Sequence, residues 1–149
     1  TSNWKTYRNE KYGFEVKYPP DWEVLENEEA APNLRNYRYI SEEDATNIAF
    51  IEYLEKLNVS LEVYADRRMK DLSLAHTFSH ISKKQTPFGN FLALRVEYDC
   101  ATCFFGVSSH ESDYYMQRAE TVFLILVTTH QNRFIPLIDD ILSTFVFTK

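Results

Sequence analysis

The sequence predicts an α+β fold, an antiparallel β-sheet flanked by helices on both faces. Three observations predict it. Ile48–Leu54 and Val122–Val127 are apolar on both alternating faces, apart from Glu52, so each such strand has to be covered above and below. Leu61, Tyr64, Ala65, Met69 and Leu72 fall on one helical stripe. Phe134, Ile138, Ile141, Leu142 and Phe145 fall on a second, which gives the sheet its other covering layer. A chain of 149 residues, 44% hydrophobic and 15% aromatic, fits one domain, 1–149. Folding at that length buries about 68–70% of the unfolded chain's surface. Three glycines and five prolines leave little sequence for flexible linkers.

The elements follow in order. A polar turn at Asn9, Glu10 and Lys11 leads into Phe14, Val16 and Tyr18, which alternate with Glu15 and Lys17 as a strand with one wet face. Pro19-Pro20 stops that ladder, because proline has no N–H to donate, and Trp22 follows as an apolar anchor. Trp22–Leu25 reads as a short strand, 26–32 as an acidic loop, Asn36–Ile40 as a third strand and Glu42–Asp44 as a turn. Ser60 is placed to cap the first helix, with Glu62 and Asp66 toward the positive end of its dipole. His80–Gln85 and Phe91–Tyr98 read as partner strands around a turn at Thr86–Asn90. Asp113–Gln117 and Val122–Thr129 form a second pair, the latter placed in the middle of the sheet. The last helix starts near Phe134–Pro136, where proline is tolerated in the first turn.

Charge narrows the partners. With 22 acidic and 16 basic residues the chain carries −6. Arg67-Arg68 and Lys83-Lys84 are isolated pairs and not the dense basic footprint that neutralises phosphates, so no nucleic-acid partner is expected. No apolar run approaches the roughly 18 residues that span a bilayer, so no transmembrane segment is expected. The chain opens at Thr1 and not at a methionine, which is compatible with a removed signal peptide or lipid anchor.

Several segments together carry a family likeness. They are Tyr7, Tyr12, Gly13, Phe14, Tyr18, Pro19 and Trp22 at the start, Pro87-Phe88-Gly89 with Phe91–Glu97 in the middle, and Tyr114-Tyr115, Val122–Val127 and Ser143–Phe145 at the end. On these residues the sequence resembles the PsbP-like family of small extracytoplasmic domains. The resemblance implies an α/β/α sandwich and a periplasmic, secreted or lipid-anchored location. It also implies a non-enzymatic binding or assembly role toward a protein partner or small ligand, with no cofactor. A Ran-binding nuclear import factor shares the fold, so a cytoplasmic partner-binding protein is a further reading.

The competing class is a small thiol redox or metal-binding protein using Cys100 and Cys103, the only two cysteines. A redox C-x-x-C opens a helix whose N-terminus acidifies the first thiol; here it follows a strand and leads into Phe104-Phe105-Gly106. In extended chain the two Cα atoms stand about 10 Å apart, so a disulfide requires a tight turn, and two ordinary free thiols are the alternative. A zinc site would need His110 with His76, His80 or His130 to converge on Cys103. His110–Tyr114 begins like a zincin motif but has tyrosine where the second histidine belongs, and reads as a polar turn. Glu42–Asp44 and Asp139-Asp140 read as solvated charge, and Asn58-Val59-Ser60 matches a glycosylation acceptor. No catalytic residue and no metal ligand is assigned. Tyrosine is abundant and enriched at interfaces, so Tyr37, Arg38, Tyr39, Tyr114 and Tyr115 are the candidate recognition surface.

Overall fold

The computed structural model describes residues 2–27, 30–37, 45–53, 59–89, 91–104, 106–130 and 132–148. Strands β1 (Lys5–Asn9), β2 (Phe14–Tyr18) and β10 (Val146–Phe147) form a small antiparallel sheet in the order β1-β2-β10. Strands β3 (Glu23–Leu25), β4 (Asn33–Arg35), β5 (Thr46–Tyr53), β6 (Phe78–Phe88), β7 (Phe91–Phe104), β8 (Val107–Arg118) and β9 (Thr121–Thr129) form a large one. Its order is β3-β4-β5-β9-β8-β7-β6, antiparallel at every pairing. Helix α1 (Leu61–Ser73) lies between β5 and β6 in the chain, and α2 (Ile135–Ser143) lies between β9 and β10. The class is α+β, mostly antiparallel sheet with two helices.

Local chemistry explains the elements. In β2, Phe14, Val16 and Tyr18 are buried while Lys17 is exposed. The wet side carries an Arg8–Glu15 ion pair of 2.8 Å across the β1–β2 ladder. The Ser60 hydroxyl accepts from the Val63 N–H at 3.3 Å and caps α1, whose buried residues are Ala65 and Leu72. Pro136 lies in the first turn of α2, where it breaks no intrahelical bond.

Strand β9 is the fourth of seven, as its two-faced apolar pattern demands. Phe123, Ile125 and Val127 join a core cluster with Phe14, Phe50, Phe145 and the α2 residues Ile138, Ile141 and Leu142. Val122 and Leu124, on the alternate positions, join another with Leu94, Val96, Tyr115 and the α1 residues Ala65 and Leu72. Phe145 is the hub of the first cluster. Its ring lies 5.3 Å from Phe14, 5.6 Å from Phe123 and 5.4 Å from Phe88, so it touches the small sheet and both halves of the large one.

The structure departs from the sequence reading in four places. A strand runs over Asn33–Arg35, ahead of the expected Asn36–Ile40; the Asn36 side chain accepts from the Thr46 N–H at 2.8 Å in place of its backbone carbonyl, and Asn36 and Tyr37 lie outside the strand. Residues 38–44 lie outside the described residues, and with them Arg38, Tyr39 and the acidic turn. The expected turn at Thr86–Asn90 shrinks: β6 runs to Phe88, since Pro87 sits on an edge strand where a missing N–H costs no ladder bond. Gly89 then turns at φ +56, and a Cβ there would stand 3.1 Å from the Phe145 carbonyl oxygen. His110–Tyr114 is no turn but the middle of β8, with Glu111, Ser112 and Asp113 buried. Finally, β1 and β10 were not expected as strands, and Phe145 lies just beyond α2.

Phe145→Ala should lower the free energy of unfolding by about 3–5 kcal/mol. Leu92→Ala, at a side chain 57% exposed, should change it by about 0.5 kcal/mol or less. Urea midpoints of the two variants check both expectations.

Candidate functional site

Cys100 and Cys103 lie at the end of β7, where the pairing with β8 shifts register between Cys100 and Phe104. The bulge brings their Cα atoms to 5.6 Å and joins the sulfurs in a disulfide, 1.97 Å. Cys100 is buried and Cys103 exposed. The chain continues into β8 and not into a helix, so no helix N-terminus faces either sulfur. Beside the pair, Asp99 lies 2.8 Å from His110 Nδ1 and 2.9 Å from His80 Nδ1. The hydrogen bond with His110, more than that with His80, holds the Asp99 carboxyl below the usual range. Among the described residues, no three His, Cys, Asp or Glu side chains converge as a metal centre requires.

Of the candidate tyrosines, the consecutive pair Tyr114 and Tyr115 does not share a surface. Tyr37 lies under the Arg35 guanidinium at 5.4 Å, and Arg38 and Tyr39 fall outside the described residues. Tyr114 and Tyr115 are each only 2% exposed. Being consecutive on β8, they point to opposite faces of the sheet, and each ends at the floor of a different cavity.

The Tyr115 cavity opens beside α1, encloses about 380 Å³ and is lined by Tyr64, Arg67, Arg68, Asp113 and Leu126 among others. Asp113 is 1% exposed. Its partners are the Tyr115 hydroxyl, donating at 3.2 Å, the Tyr98 hydroxyl, donating at 3.4 Å, and Arg68 Nε at 3.5 Å. Burial raises the Asp113 carboxyl above the ordinary range, and the Arg68 charge offsets part of that. Two residues back on the same face, buried Glu111 accepts from the Ser109 and Thr128 hydroxyls at 2.6 Å each. Burial raises it too, and Asp113 adds to the rise.

The Tyr114 cavity opens beside α2, also encloses about 380 Å³, and is lined by Thr86, Phe88, Arg95, Tyr114, Asp139 and Leu142 among others. Arg95 is 8% exposed. Its Nε stands 2.7 Å from Glu97 Oε1, one Nη donates to Ser112 Oγ at 3.3 Å, and its plane lies 5.2 Å from the Tyr114 ring. Burial raises both the Tyr114 hydroxyl and the Asp139 carboxyl. The sequence had Arg95 and Glu97 turned from the apolar face of their strand, which is correct, and Asp139 on a solvated helix face. It carried no sign that these groups meet, because the fold alone joins β6, β7, β8 and α2 here.

These elements in this order define a PsbP-like fold. The chain is similar to cyanobacterial PsbP (CyanoP) from Synechocystis sp. PCC 6803, with a TM-score of 0.63 and 16% identity over 97% of this chain and 92% of that one. LpqN of Mycobacterium tuberculosis, involved in cell envelope biogenesis, matches with a TM-score of 0.64 and 13% identity over 99% and 91%. The Ran-binding protein Mog1p of Saccharomyces cerevisiae matches with a TM-score of 0.61 and 10% identity over 99% and 96%. No protein-family model and no curated protein matches the sequence. At these identities the likeness is one of fold.

Arg68→Met removes the cation nearest Asp113 while keeping much of the side chain's apolar stem. It should cost about 1–2 kcal/mol at pH 7, where Asp113 is left buried without its countercharge. A carboxylate whose folded pKa is raised binds its proton more tightly in the folded state, so its ionisation destabilises the fold as pH rises. The cost of Arg68→Met should therefore shrink on acidification through the carboxylate range, as urea titrations at pH 4 and pH 7 would show.

Proposed function

We propose that the chain is a single PsbP-like domain, a sandwich with α1 and α2 on opposite faces of the large sheet, acting outside the cytoplasm as a binding or assembly module. The Cys100–Cys103 disulfide carries this reading. Such bonds persist in oxidising compartments and are rare in reducing ones, and a closed pair on a strand bulge leaves the fold without a poised thiol. Shared fold supports it as analogy: LpqN is described by a role in envelope biogenesis and Mog1p by binding Ran. The two cavities, each with an apolar wall and a few convergent polar groups, are the places where a protein segment or small ligand would be held.

One observation favours a thiol redox protein as second reading. Cys103 is exposed, and Cys100 shares a shallow cavity with Asp99, His110 and His130. After reduction, the rate of alkylation against pH separates the two. The binding reading expects thiols that ionise near the ordinary value of about 8.5; a thiolate already present below neutral pH would favour redox chemistry.

Protein taken from its host under denaturing conditions, without reductant, should show no alkylated cysteine by mass spectrometry, and two after reduction. Free thiols in that first sample would overturn the extracytoplasmic assignment. Photo-reactive residues placed at Arg67 and Ser143, on the rims of the two cavities, should give a discrete cross-linked product in the host from at least one position. None from either would overturn the binding role.

A further inference from the structure

Arg95 is a buried guanidinium anchored from behind. Glu97 Oε1 lies 2.7 Å from its Nε without forming a hydrogen bond and one Nη donates to Ser112, so most of its five N–H donors are unused among the described residues, and Arg95 lines the α2-side cavity. Glu97 does not fully neutralise it, because its carboxylate also lies 3.4 Å from Lys84 Nζ and 3.7 Å from His110 Nε2. Two further polar groups on the same cavity lack partners. Thr86 Oγ1 is buried with no hydrogen bond, and among the described residues none reaches the Tyr114 hydroxyl. An orphaned hydroxyl beside an under-used guanidinium marks a place where an acceptor is missing.

An opposite charge lines the same cavity. Asp139 lines the same cavity from α2 and forms no ion pair with Arg95 or any other described residue. Pro87, Phe88 and Leu142 give the space an apolar wall. A phosphate would meet repulsion from Asp139 and Glu97, and a bare cation from Arg95. A molecule carrying a carboxylate and an ammonium satisfies both charges at once, and the volume of about 380 Å³ lies at the small end of ligand sites.

We infer that the α2-side cavity binds a free α-amino acid with an apolar side chain, its carboxylate on Arg95, Tyr114 and Thr86 and its ammonium on Asp139. This rests on the binding reading and names the ligand for one of its two cavities. The apolar side chain lies against Phe88 and Leu142.

Three probes separate the ends: L-leucine, N-acetyl-L-leucine, which keeps only the carboxylate, and L-leucinamide, which keeps only the ammonium. Nuclear magnetic resonance titrations of the full chain should show L-leucine shifting the signals of Thr86, Arg95 and Leu142 with saturation by about 10 mM. The other two probes should bind about tenfold more weakly or not at all. Asp139→Asn, isosteric at an exposed position on the cavity rim, should weaken L-leucine and leave N-acetyl-L-leucine unchanged. Tyr114→Phe should weaken both by about two- to tenfold. Absence of L-leucine shifts at those residues overturns the inference, as does equal binding of all three probes. If L-leucine fails while a cross-linked product still forms in the host, the amino-acid assignment falls and the binding module stands.

Discussion

The packing of Phe145 among the rings of Phe14, Phe50, Phe88 and Phe123 is the contact on which the rest of the architecture depends. A two- or three-stranded sheet is marginal by itself, and β1-β2-β10 is held by the face it buries against this cluster. The backbone is tied in at the same place: the Lys17 N–H donates to Thr144 Oγ1 at 2.8 Å, one residue before Phe145. Arg118 adds a second tie, its guanidinium donating to the Tyr12 carbonyl and lying 4.6 Å from the Phe147 ring. Seating Phe145 therefore positions α2 and brings the end of β6 close enough that a side chain at Gly89 would crowd the Phe145 carbonyl oxygen. The α2-side cavity is the gap left between those two seated elements.

Strand β8 shows how one strand serves two chemistries. Its even residues in the middle, His110, Ser112 and Tyr114, meet Asp99, Glu97 and Arg95 across the ladder, on the α2 side. Its odd residues, Glu111, Asp113 and Tyr115, share the other face with Arg68 and Thr128. The two buried carboxylates are solved differently. Glu111 has two short bonds from neutral hydroxyls, whereas Asp113 has three long contacts, one of them to a cation on a half-exposed helix face.

What was legible in the sequence follows from how local each cause is. The α1 stripe and its Ser60 cap depend on residues within thirteen positions of one another, and both appear as read. The two-faced runs in β5 and β9 announced central strands because burial on both sides leaves no polar alternation. The second half of β8 was legible as the strand Asp113–Gln117, but its first half was hidden, since His110 and Glu111 look like turn residues until Asp99 and Thr128 supply their partners from other strands. Strands β1 and β10 were hidden for the same reason, being short and made stable by β2 and the Phe145 cluster. Neither cavity was legible, because Arg95 and Asp139, or Arg68 and Asp113, share no periodicity; only the folded sheet brings them into one place.

The disulfide belongs to this distinction between local and long-range causes. Closing so short a loop removes little freedom from the unfolded chain, about 2 kcal/mol on the chain-entropy model, less than a bridge between distant segments would. Its larger effect is on shape. The bulge it closes interrupts the β7–β8 ladder after the Cys100–Ser109 pair and lets it resume only at Phe104–Val107. With the ladder fixed at that point, Asp99 and His110 face each other in register at its last unbroken pairs, and the polar strip running from Arg95 through Glu97 to Asp99 keeps its alignment with Ser112 and His110. Cys100, paired with Ser109, lies by strand alternation on the face opposite Asp99 and Glu97, so the disulfide fixes this end of the ladder from the other side of the sheet.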